Sequence, residues 1–194
     1  DPNLQAEALG WKTRASWLRA SWRDALESAQ AAVAVLEGLP ESPQLARTLA
    51  RLSQIEMLRA LPSAEPSALR AIEVARSTGE RAAEANARSN LMAERARTIP
   101  PTEAELSEII DLAQQAGAHD EAARAVINYL WSACRYDDLG AVERTVTGAA
   151  RRVSVGLTFE GYGPYLDFSL ATLIHVPAGR WEQVDAVLAA GDGG

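Results

Sequence analysis

The sequence predicts an all-α protein, a right-handed α-α superhelix of about five helix pairs, on three observations. First, Gly38, Gly79, Gly117, Gly156 and Gly191 each follow a helical run, at steps of 41, 38, 39 and 35 residues. A glycine just past a helix adopts the left-handed conformation that satisfies the last carbonyls, so a recurring one marks a recurring helix end. Second, each interval contains a turn. Three turns carry an aromatic, then two polar or acidic residues, then an apolar one: Trp22-Arg23-Asp24-Ala25, Tyr136-Asp137-Asp138-Leu139 and Trp181-Glu182-Gln183-Val184. Third, apolar residues recur at three- and four-residue steps, as in Leu45, Leu49, Leu52, Ile55 and Leu58, the period of a helix with one buried face. Only Val153–Phe159 approaches strand alternation, and it contains a stop glycine, so a helix end and loop are expected there.

In order, the first pair takes helix A at about 3–20 and helix B at 22–37. The turn aromatic wedges between them, and Asp24 sits where the helix dipole favours negative charge. Ser42 caps the second pair and Pro43 takes its first helical position, giving A at 43–61 and B at 65–78. The third pair has A at 80–98, the Pro100-Pro101 break, and B at 102–116, where Thr102 and Glu105 have capping-box spacing. The fourth has A at 119–134 and B at 137–155. The fifth has A at 163–177, opened by Pro164 and closed by Pro177, and B at 180–190. The pairs, about 3–38, 43–79, 80–117, 119–156 and 163–191, are expected to form one domain over 1–194. The opening at Asp1 and the stop directly after a helix at Gly191 suggest a fragment of a longer chain.

Composition narrows the functional classes. Net charge is −7, which argues against direct nucleic-acid binding by this segment. The charge is uneven: residues 1–100 hold 13 basic and 12 acidic side chains, residues 101–194 hold 6 and 14. A solvated acidic face accounts for the second half. Cys134 is the single cysteine, so no internal disulfide forms, in keeping with a reducing, cytoplasmic location. No apolar run is long enough to span a membrane. His119 and His175 are far apart without Cys or His partners, so no metal site is expected. No Gly-x-Ser-x-Gly elbow occurs, and Asp137-Asp138 is explained by capping. The chain is therefore expected not to be an enzyme.

The Gly179-Arg180-Trp181-Glu182 turn, the aromatic opening helix B and the repeat period resemble tetratricopeptide repeats, with Ala25, Ala68 and Ala104 at the small early position of B and Leu139 and Val184 replacing it later. Residues 71–190 further resemble the helical region of the large ATP-binding LuxR-type transcriptional regulators, MalT-like in layout. The strings that carry this are Ala71–Ala85, Ala122–Leu130 and Gly156–Gly163 leading to Gly179–Glu182, in that order. The resemblance implies a bacterial signalling protein with a nucleotide-binding module before this arm and a helix-turn-helix after it. It implies ATP for that parent protein and no cofactor in this segment. No Gly-x-x-x-x-Gly-Lys-Ser/Thr loop occurs here; Gly161-Tyr162-Gly163-Pro164 reads as a turn into a helix.

The function expected is that of a sensor or protein-interaction arm of such a transcription regulator, taking an inducer or a protein on a concave face. The alternative is a stand-alone scaffold or adaptor recruiting one protein. No membrane partner is expected, and self-association stays open. In superhelices of this kind the A helices line the inner face. The turn register points Arg14 and Trp17 inward on the first pair, and Arg124, Asn128 and Trp131 inward on the fourth. Arg, Asn and Trp together supply hydrogen bonds and aromatic area for a peptide, a sugar or a partner helix. The other reading of Trp17 and Trp131 is that they fill gaps between pairs. Trp22 and Trp181 are assigned to the turns.

Overall fold

The computed structural model describes residues 1–136, 138–153 and 163–191. Among these residues every regular element is helical. The first helices are α1 (Pro2–Leu18) with α2 (Trp22–Leu36) and α3 (Pro43–Leu58) with α4 (Ala64–Thr78), followed by α5 (Arg81–Arg95) and α6 (Glu103–Gln115). Then come α7 (His119–Ala133) with α8 (Leu139–Val153), and α9 (Gly163–Leu170), which continues as a π-helical stretch over Ala171–His175, with α10 (Trp181–Gly191). The protein is all-α and built from consecutive helix pairs.

The chain forms two compact units, Asp1–Glu94 and the residues from Arg95 onward. In the first, α1 packs on α2, α3 on α4, and α2 on α3. Its core joins Leu36, Leu45, Leu49, Ile55 and Val74 to a set of buried alanines that includes Ala25, Ala46, Ala68 and Ala71. Alanine at the contact lets helix axes approach closely. In the second, α7 is central, packing on α6, α8 and α9. Ile109, Ile110, Val126, Leu130, Val142, Val146 and Ile174 are fully buried there.

The starts follow their capping residues. The amides of Asn3, Leu45 and Glu105 donate to the side chains of Asp1 (2.8 Å), Ser42 (3.2 Å) and Thr102 (3.1 Å). Ser21 donates to Asp24 (2.7 Å) at the start of α2. The first turn aromatic wedges as expected: Trp22 meets Trp17 edge-on, with centroids 4.6 Å apart and planes at 84°. Tyr136 reaches across from its turn to donate to the Ala96 carbonyl (2.9 Å). Trp181, at the head of α10, differs in being 60% exposed. Ala25 and Ala68 are buried at the early B position, but Ala104 is exposed, because Leu106 supplies the first buried contact of α6.

The helix ends depart from the glycine pattern. Gly79 and Gly117 are left-handed stops after B helices, and Gly179 is one after an A helix (φ +70°, +66° and +69°). Gly38 is not, since α2 closes on Glu37 in right-handed geometry. Gly191 is the last residue of α10. Gly156, Asp137 and most of the 153–159 stretch lie outside the described residues. Two alanines take the conformation that sequence reasoning reserved for glycine: Ala20 (φ +55°) and Ala60 (φ +54°). Around all five left-handed residues the bonding is the same. The following amide reaches back five residues, Ser21 to Ser16, Leu61 to Glu56, Glu80 to Ala75, Ala118 to Ala113 and Arg180 to His175, at 2.8–2.9 Å. This is the Schellman closure, and it ends A and B helices alike.

Candidate functional site

A groove of about 350 Å³ runs between α1 and α3 in the first unit. Its walls are two matched helical stripes. Glu7, Gly10, Trp11 and Arg14 come from α1, and Gln44, Arg47, Thr48 and Arg51 from α3. Each set follows the i, i+3, i+4, i+7 spacing that places residues on one helix face. On α3 this stripe lies beside the buried Leu45, Leu49 and Leu52.

The groove is cationic with one aromatic wall. Trp11 is 65% exposed. Arg47 donates to Glu80 (2.7 Å) and to Gln44 (3.0 Å), which holds its guanidinium at the rim. Thr48 bonds back to the Gln44 carbonyl (2.8 Å). Gly10 is buried, and the Arg51 guanidinium lies so close that a β-carbon at residue 10 would fall 2.7 Å from Nη1. The missing side chain is what lets that arginine lie along α1. The lining holds three arginines, of which Arg47 is paired with Glu80 at the rim, and one glutamate, with Trp11 its only large apolar group. Pockets that enclose small molecules are mostly apolar; this lining suits side chains presented by another polypeptide.

Of the residues proposed from sequence, Arg14 lines this groove. Trp17, three residues on, turns to the other side, against Trp22 and the core. Arg124, Asn128 and Trp131 lie on α7, in the second unit. Arg124 is 3% exposed, and its Nε and Nη2 both donate to Glu121 Oε2 (2.9 and 2.7 Å). Asn128 is half-buried. Trp131 is 50% exposed, and its indole donates to Ser169 (3.2 Å), which in turn donates to the Tyr165 carbonyl (2.7 Å). Trp11, Arg47 and Arg51 were missed, although Gln44-Arg47-Thr48-Arg51 repeats at helical spacing in the sequence.

Other candidate chemistry is sparse. Burial pushes the Cys134 thiol up, which keeps it protonated at neutral pH and a poor nucleophile. Among the described residues no group of three His, Cys, Asp or Glu side chains could hold a metal ion. Among them, too, no helix is long and apolar enough to cross a membrane. Comparison with protein-family models, curated proteins and solved structures gives no match to this chain.

Proposed function

We propose that this chain is a protein-interaction arm, of the kind expected in an ATP-binding LuxR-type transcriptional regulator, and that it engages its partner along α1 and the α1–α3 groove. The observation that carries the reading is the pairing of an exposed Trp11 with Arg14, Arg47 and Arg51 on two facing helix stripes. Tryptophan and arginine are the residues that most often dominate binding energy at interfaces. Two packed helices present them on backbone that is already ordered, which leaves only side-chain ordering to oppose binding. The regulator half of the proposal rests on the ordered strings between residues 71 and 190.

Two measurements test the two halves. The intact gene should encode a phosphate-loop motif before this segment and a helix-turn-helix after it; a gene with neither leaves a stand-alone scaffold. In the intact protein, Trp11→Ala combined with Arg14→Glu should weaken partner binding at least tenfold with helicity unchanged. Undiminished binding would remove this face from the function.

A further inference from the structure

Helix α1 is apolar on the wrong side for a helix that only packs on its own fold. Its buried positions are Ala6, Gly10, Thr13 and Ser16, all small or polar. Trp17 packs on the core, but three large apolar residues point away from it: Leu4, Trp11 and Leu18 are 65%, 65% and 70% exposed. Ala8 and Ala15 between them are exposed as well. The five positions step by 4, 3, 4 and 3 residues, the heptad seam by which one helix packs along another. Sizes alternate along it. Leu4, Trp11 and Leu18 form knobs, and Ala8 and Ala15 leave holes that large side chains of a second helix would fill.

The seam has cationic borders. At about 100° per residue, Lys12 and Arg19 fall along one side. Arg14 falls along the other, next to Arg47 and Arg51 across the groove, with Glu7 the single carboxylate of the lining. We infer that α1 is the docking face for an acidic amphipathic helix, laid along the Leu4–Leu18 seam with its carboxylates against Lys12 and Arg19 on one flank and Arg14 and Arg51 on the other. The inference rests on the interaction-arm reading and names its partner. A second copy of the chain fits less well, because it would bring the same cations against themselves. An anionic membrane surface would also meet a cation-flanked apolar face. It has no side chains with which to fill the holes at Ala8 and Ala15.

The test is fluorescence anisotropy with two labelled helical peptides of about three heptads. Both carry leucine at the seam positions; one has glutamate at every flanking position, the other lysine. The acidic peptide should bind in the micromolar range and the basic one at least tenfold more weakly. Affinity for the acidic peptide should fall at least tenfold for Trp11→Ala, for Leu18→Glu and for Lys12→Glu with Arg14→Glu. It should also fall in 1 M salt, where screening shortens to about 3 Å. Circular dichroism melts should stay close to wild type, since each substituted residue is exposed. Equal affinity for the two peptides overturns the inference. So does binding confined to anionic vesicles, or a Trp11-dependent dimer by sedimentation with no peptide bound. In that last case α1 remains an interaction face and only the occupant changes. If no peptide, vesicle or second copy responds to Trp11→Ala, the inference and the interaction reading both fall.

Discussion

The side-chain amide of Asn90 on α5 donates to the hydroxyl of Ser53 on α3, 37 residues away, at 2.8 Å. The same nitrogen reaches the Ala50 carbonyl (3.0 Å) and the Asn86 side chain (3.0 Å), and Ser53 itself donates to Ala50 (2.8 Å). Asn90 and Ser53 are 1% and 0% exposed, so the bond between them is closed to water and ties together two successive A helices. A buried acceptor left without its donor costs about 1–3 kcal/mol. Asn90→Ala should therefore destabilise the first unit by about 2 kcal/mol, read as a lower urea midpoint. Asn90→Ala with Ser53→Ala should cost less than the two single changes together.

Ala60 closes α3 with a left-handed backbone (φ +54°), a conformation that costs a residue with a β-carbon roughly 1–2 kcal/mol. Glycine is free of that cost but has more unfolded-state entropy to lose. Ala60→Gly should raise stability, by up to about 1 kcal/mol, and Ala20→Gly should do the same at the end of α1. Gly79→Ala should lower stability by a similar amount, since its φ is +70° and no steric neighbour explains the glycine. Thermal melts of the three variants check the signs. A destabilised Ala60→Gly would contradict the strain argument.

These two alanines also mark where sequence reasoning ran out. The helices were readable because their caps are local chemistry: Ser42-Pro43 and Thr102 begin helices where they stand. Gly79 and Gly117 end helices for the same reason. At Ala20 and Ala60 nothing in the residue type announces the turn, because the Schellman bonds are made by backbone and the penalty is met by packing elsewhere. The π-helical stretch at Ala171–His175 likewise has no residue signature. The groove was half readable. The register of the first turn points Arg14 and Trp17 the same way, but Arg14 lines the groove and Trp17 packs on the core; the α3 stripe has helical spacing. That Trp17 faces the core while Trp11 faces out depends on how α1 rolls against α2 and α3. That roll buries the small and polar positions Ala6, Gly10, Thr13 and Ser16, which no periodicity in large apolar residues reveals.

The second unit should show a pH response through Glu143. Arg180 donates to both of its carboxylate oxygens, Nη2 at 2.7 Å from Oε2, and this bond holds the Glu143 carboxyl below its ordinary value against the opposing effect of burial. A carboxyl lowered in the folded state contributes stability that is fully present above the unfolded value, about pH 4.3. The contribution is lost as pH falls through the lower folded value. Both side chains are partly exposed, 40% and 25%, so the effect is small and screened by salt. Glu143→Gln should flatten the fall in urea midpoint below pH 4.3 and leave the rest of the acid profile in place. An unchanged acid limb in Glu143→Gln would mean the pair adds nothing to folding.

Gly10 separates stability from binding. It lies in the middle of α1, where alanine is favoured over glycine by about 1 kcal/mol. The added β-carbon would sit 2.7 Å from Arg51 Nη1, but that atom is the far end of a flexible side chain and can swing away at little cost. Gly10→Ala should therefore leave the melting temperature unchanged or slightly raised. It should also move the Arg51 guanidinium off the groove wall and lower affinity for the acidic helix several-fold. Arg51→Gln should give the same loss, and combining the two changes should add nothing further, since both act by removing one charge from one place. Additive losses would mean that Gly10 serves helix packing and that Arg51 acts from elsewhere.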